Sequence, residues 1–269
     1  LYFPVSGVEA NPLVLLLVAF AVSGLCAPAG VSGAFLLLPF QVSVLGFTSP
    51  AVSPTNLIYN VLAAPGGIYR YAADRSISWP LARTIVLGSL PGVFLGAVLR
   101  VTVFADPGIF KAFVGLVLLY LGARLLLETF GYPGRSRPGR GGSRGSVLVL
   151  AFFVGVVGGI YSIGGGAIIA PFLVAIFRLP VRTVAGAALV GTFVTSVAGI
   201  AFFELLEVLG AGGEEPVSPD WLLGAVLGLG GLAGTYAGAY AQRLLPETGI
   251  KGVLGVLVCL LAFGYLAGR

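Results

Sequence analysis

Few residues in this chain can do side-chain chemistry. Its 269 residues include no histidine and two cysteines, Cys26 and Cys259, near opposite ends. Imidazole catalysis is excluded, and two distant cysteines make neither a disulfide framework nor a metal-ligand cluster. What remains is backbone. The stretch "GGIYSIGGGAIIAPFL" (158–173) places Gly164, Gly165 and Gly166 and a proline inside an oily segment. A helix starting after such glycines presents unpaired N–H groups and a positive dipole end, which bind anions. Glycine also lets a ligand approach the backbone closely. An earlier stretch, "GVSGAFLLLPF" (30–40), offers Gly30, Ser32 and Gly33 in a similar setting. Polar residues in apolar surroundings complete the candidate binding set. Asn56 and Asn60 lie one helical turn apart, Thr192 and Ser196 likewise, and Ser162 precedes the glycines. Thr55, Thr183 and Thr195 lie nearby.

The elements that position these groups must lie in a membrane. Hydrophobic residues make up 58% of the chain and charged residues 9%, against about 25% charged in soluble domains. Apolar runs long enough to cross a bilayer recur throughout. The alternation expected of barrel strands is missing. The chain therefore reads as an all-α polytopic membrane protein. Its net charge of +5 reports where basic loops lie rather than affinity for nucleic acid. The chain lacks methionine, so the leading "LYF" reads as other than a natural start. No basic segment precedes the first apolar run, which argues against a cleaved signal peptide.

The sequence is written twice. Pro39-Phe40 aligns with Pro171-Phe172 at an offset of 132, which also brings Gly67-Ile68 onto Gly199-Ile200. At 142, Trp79 meets Trp221, and Gly88, Gly92 and Gly96 meet Gly230, Gly234 and Gly238. At 140, Lys111 meets Lys251. Residues 1–130 form a first repeat and 147–269 a second, joined by a basic linker over 131–146. Each repeat has four apolar blocks, at 13–46, 50–73, 80–100 and 108–128, then 147–177, 181–205, 220–242 and 249–267.

The first block of each repeat is too long for one span and too short for two. A helix of 34 residues would run about 51 Å, against about 30 Å of hydrocarbon. Two half-helices meeting inside the bilayer, with outer ends on one side, resolve the mismatch. The positive-inside rule gives the same answer. The linker carries Arg135, Arg137, Arg140 and Arg144, and the loop after the broken block carries Arg178 and Arg182, so both are expected in the cytoplasm. The acid-rich loop with Glu204, Glu207, Glu214, Glu215 and Asp220 is expected outside. Each repeat is then a re-entrant helix pair plus three transmembrane helices. Three crossings invert the second repeat relative to the first, a plan common in secondary transporters. Both termini are expected outside.

Two half-helix starts, near Ser32–Gly33 and near Gly165, would converge on an anion without a buried cation. The competing reading of the glycines is tight packing alone. That reading suits the four-residue rows at 88–92–96 and 230–234–238, but not a break at corresponding places in both repeats. For Asn56, Asn60, Thr192 and Ser196, cavity lining and helix–helix hydrogen bonding are both open. Arg83 and Arg124 are expected to snorkel.

With "SIGGGAIIAP", its partner "CAPAGVSGAFLLLPF" and the two-repeat layout, the chain resembles the sulfite exporter family of the TauE/SafE type, also called the toluene sulfonate uptake permease family. The family's first break is usually a GxGGG-like run; here Ser32 and Ala34 replace glycines. The resemblance implies transport of small anionic sulfur or carbon compounds, such as sulfite, thiosulfate, organosulfonates or sulfoacetate. An anion channel and a carrier of small carboxylates are the alternatives. An enzyme is not expected. "GVSG" matches the nucleophile surroundings of rhomboid-type proteases, but no histidine is present to activate Ser32. No cofactor or metal is expected. The expected partners are a small anion and membrane lipid, in a prokaryotic inner membrane, with no nucleic acid; a homodimer is compatible with the chain. All acids fall at predicted span ends, which favours facilitated export over proton coupling.

Overall fold

A computed structural model describes residues 1–27, 32–73, 75–129, 143–177, 179, 181–213, 215–241 and 247–267. It opens with a short antiparallel hairpin, β1 (Tyr2–Phe3) and β2 (Val8–Glu9). Ten helices follow among the described residues: α1 (Pro12–Cys26), α2 (Ala34–Ser43), α3 (Val52–Ala73), α4 (Trp79–Thr102), α5 (Pro107–Thr129), α6 (Arg144–Tyr161), α7 (Gly165–Ala175), α8 (Val181–Val208), α9 (Trp221–Ala241) and α10 (Glu247–Leu266). The protein is an all-α polytopic membrane protein. Five of these helices are long and apolar enough to cross a membrane. Apolar side chains such as Leu116, Phe153, Leu229 and Leu260 stand exposed on the outside, as a lipid-facing surface requires.

The long first blocks are divided as their glycines suggest. α2 has 10 residues and α7 has 11. At 1.5 Å per residue each runs about 15–17 Å, half of a bilayer core. Each follows a longer helix, and α7 folds back against α6. The expected helix starts, near Ser32–Gly33 and near Gly165, fall within two residues of those observed.

The packing pairs exchange when the two sets of five helices are exchanged. α4 packs on α6 as α9 packs on α1; α3 packs on α9 as α8 packs on α4; α2 lies on α3 as α7 lies on α8; α5 and α10 pack on each other. The glycine rows make two tight seams. A side chain at Gly88 would meet the Ala151 methyl, and one at Gly92 or Gly96 would strike the Phe152 or Val156 carbonyl. On the other seam Gly230, Gly234 and Gly238 lie against the carbonyls of Leu16, Phe20 and Gly24. These rows are packing devices: small residues let two backbones touch.

The hairpin is held from the far end of the chain. Ser6 donates through its backbone N and Oγ to Asp220 Oδ2, at 3.1 and 2.9 Å, and Phe3 is fully buried. Asp220 also caps α9 by accepting from the Leu223 N–H at 3.1 Å.

Candidate functional site at the two helix breaks

The turn between α6 and α7 is built from unusual backbone. Ser162 has φ 62° and Gly164 has φ 79°. The left-handed region costs an L residue about 1–2 kcal/mol, and glycine alone enters it freely. The turn leaves the last carbonyls of α6 without intrahelical donors. α3 supplies them from one face, since Ser53, Asn56 and Asn60 follow a three-then-four spacing. Asn56 Nδ2 donates to the Ser162 carbonyl at 3.0 Å and the Ala34 carbonyl at 3.1 Å. Asn60 Nδ2 reaches the Ser162 carbonyl at 3.4 Å. Ser53 Oγ lies 3.5 Å from the Ile160 carbonyl.

This network ties the two breaks together. Ser32, just before α2, donates from Oγ to Asn60 Oδ1 at 3.2 Å and accepts from the Ala34 N–H at 3.3 Å. Gln41, in the last turn of α2, donates to Asn56 Oδ1 at 3.2 Å. Gly33 lies beneath two buried hydroxyls: an added Cβ would stand 2.5 Å from Tyr59 Oη and 2.9 Å from Ser23 Oγ. Those hydroxyls bond each other at 2.8 Å. Tyr161 Oη donates to the Phe35 carbonyl at 2.8 Å, a second bridge between the breaks.

α8 closes the other side. Gly165 donates its N–H to Thr195 Oγ1 at 3.2 Å, and Thr195 passes its own proton to the Gly191 carbonyl at 2.7 Å. Thr192 bonds back to the Ala188 carbonyl at 3.0 Å. Gly166 has no room for a side chain, because a Cβ would overlap that same carbonyl and stand 2.6 Å from Thr192 Oγ1. Ser196 is fully buried, and its Oγ has no hydrogen-bond partner among the described residues. It faces the turn: a Cβ on Gly164 would stand 3.0 Å from it.

Of the candidate residues, Ser32, Asn56, Asn60 and Ser162 therefore join one hydrogen-bonded cluster. Gly33, Gly164, Gly165, Gly166, Thr192 and Ser196 pack around it. Gly30 lies outside the described residues. The Ser162 carbonyl is the hub, and its hydroxyl turns back toward the Gly159 carbonyl at 3.5 Å. Of the two readings open for Asn56 and Asn60, hydrogen bonding between elements is present.

Sequence reasoning missed Ser53, Tyr59, Tyr161 and Arg100. The tyrosines read as apolar fillers within their runs. Ser53 shares the asparagine face, and that spacing was the available signal. Arg100 stands at the last position of a predicted span, where a cation normally snorkels, yet it is fully buried. Among the described residues no group of three His, Cys, Asp or Glu side chains is placed to hold a metal.

The family described as Sulfite exporter TauE/SafE matches residues 15–265. The chain is similar to a protein of Bacillus subtilis (strain 168) named "Probable membrane transporter protein YjnA", at 24% identity over 244 residues, covering 87% of this chain and 91% of that protein. No solved structure matches.

Proposed function

This chain belongs to the sulfite exporter TauE/SafE family, and on that premise we propose that it exports small sulfur-containing anions, such as sulfite or an organosulfonate. The anion binds where the two helix breaks meet, near the bilayer midplane. The start of α7 at Gly164–Gly166 provides the positive end of a helix dipole, and the anion competes with Thr195 for the Gly165 N–H. Ser32, Asn60 and Ser196 provide neutral polar contacts, and Asn56 keeps the turn in place.

One observation carries the reading. Within a transporter family, the two broken segments share a buried polar cluster, and the Ser196 hydroxyl, which has no partner among the described residues, faces the α7 turn. Buried polar groups at membrane depth are costly and mark a pathway or a binding site. In this reading the two sets of five helices are inverted repeats, and transport follows rocking of one against the other around the fixed site. The basic linker lies in the cytoplasm and both termini outside. Flow runs down the substrate gradient, helped by the inside-negative potential.

Reconstituted protein in liposomes tests this directly. Efflux of sulfite, thiosulfate or sulfoacetate without an imposed pH gradient is the expected result. Flux that requires a pH gradient rejects facilitated flow, and flux of simple carboxylates alone replaces the substrate class.

A further inference from the structure

Arg100 lies in the last turn of α4 and is fully buried. Its Nε donates to Ser53 Oγ at 3.0 Å, one terminal nitrogen donates to the Phe104 carbonyl at 2.5 Å, and the other donates to the Ser49 carbonyl at 3.2 Å. Its guanidinium carbon stands 3.8 Å from the centre of the Phe110 ring. All of these partners are neutral. Among the described residues no carboxylate is a hydrogen-bond partner of Arg100; Asp106 caps α5 through the Gly108 and Ile109 N–H groups, Glu204 accepts from the Ser218 hydroxyl, and Glu207 accepts from the Val217 and Ser218 N–H groups. The hydrogen bonds and the α4 dipole solvate the guanidinium but leave its charge intact. A full positive charge thus stands inside the bundle.

Its place relative to the breaks is fixed by α3. Ser53, which receives Arg100, lies one turn before Asn56 and two turns before Asn60, so the charge sits roughly 10 Å from the cluster. Ser53 itself adjoins the Ile160 carbonyl at the end of α6.

We propose that Arg100 is the fixed charge that makes the break site anion-selective, acting through space rather than by contact. This rests on the anion site proposed above. One unit charge at about 10 Å, in a medium of effective dielectric about 20, changes affinity on the order of ten-fold for a monoanion and a hundred-fold for a dianion. Arg100 is a positioning residue in this scheme, and its signature is dependence on ligand charge.

The test is binding of methanesulfonate, a monoanion, and thiosulfate, a dianion, to the full-length purified chain. Arg100→Gln is expected to lose affinity for both, with the larger loss for thiosulfate. Arg100→Lys keeps the charge and is expected to stay within a few-fold of the parent. Ser53→Asp gives Arg100 a carboxylate partner and is expected to reproduce the charge-graded loss; it carries the test if Arg100→Gln fails to fold. Equal losses for the two anions, or equal losses in the Lys and Gln variants, mark a merely structural arginine and overturn the proposal. Unchanged affinity in Arg100→Gln and Ser53→Asp also overturns it. A parent chain that binds neither anion overturns the proposed function, a result distinct from the others.

Discussion

The two helix breaks are held in opposite ways. At the first, side chains do the work: Ser32 meets the first N–H of α2, Gln41 reaches Asn56, and Tyr59 with Ser23 covers Gly33. At the second, the chain's own residues contribute mainly backbone: Gly164 takes a positive φ, Gly165 donates its N–H to Thr195 Oγ1, and Gly166 touches the α8 backbone. The asparagines of α3 serve the far break, because both bond the Ser162 carbonyl. The corresponding α8 positions, Ala188 and Thr192, provide no amide. One break is therefore capped by side chains. The other lays its backbone directly against α8, with the Gly165 N–H held by Thr195.

The largest effect that would break this contrast is expected at Gly166. Gly166→Ala drives a methyl into the Ala188 carbonyl and should destabilise by about 3 kcal/mol or more, at the upper end for overpacking. Its counterpart Ala34 already bears a methyl, so Ala34→Gly should cost about 1 kcal/mol. Thermal unfolding in detergent measures both, and equal costs would erase the asymmetry. Next comes Asn56→Ala. It strips the side-chain donor from the Ala34 carbonyl, leaves the Ser162 carbonyl with Asn60 alone, and should cost about 1–3 kcal/mol. Thr192→Ala removes only a bond to its own helix and should cost under about 1 kcal/mol. A Thr192 effect as large as that of Asn56 would mean that α8 holds its break as α3 does.

Much of this architecture was legible in sequence, for a local reason. A glycine run inside an apolar block, or glycines every fourth residue, signals a break or a seam without knowledge of the partner. Asn56 and Asn60 announced themselves by polarity and spacing. Arg100 did not. Its burial depends on Phe110 across the α4–α5 corner and on Ser49 and Ser53 about fifty residues earlier, and no local pattern encodes that meeting. Tyr59 and Tyr161 stayed hidden because hydroxyls on aromatic rings look apolar in a hydrophobic run. The hairpin was missed because its anchor, Asp220, lies more than two hundred residues away.

A smaller effect sharpens the seams. Gly92→Ala and Gly234→Ala lie at matched places in the two tight seams, and each should cost about 1–3 kcal/mol by pushing a methyl into a carbonyl. A cost at one and none at the other would show that the exchanged packing pairs are not energetically alike. The smallest stability change is expected for Ser196→Ala. Its hydroxyl has no partner among the described residues, so unfolding should shift by less than about 0.5 kcal/mol. Its loss should appear in anion affinity instead, and a variant with unaltered affinity would remove Ser196 from the site.

Locating a bound anion tests the central claim most directly. Crystals or vitrified particles prepared with selenite, a heavier stand-in for sulfite, would reveal the ligand through its selenium signal. The account predicts one peak within hydrogen-bonding reach of the Gly165–Gly166 backbone and of Ser32 or Asn60. A peak only elsewhere, such as in the cavity of about 300 Å³ lined by Ser6, Thr48, Ser49 and Glu215, would contradict it.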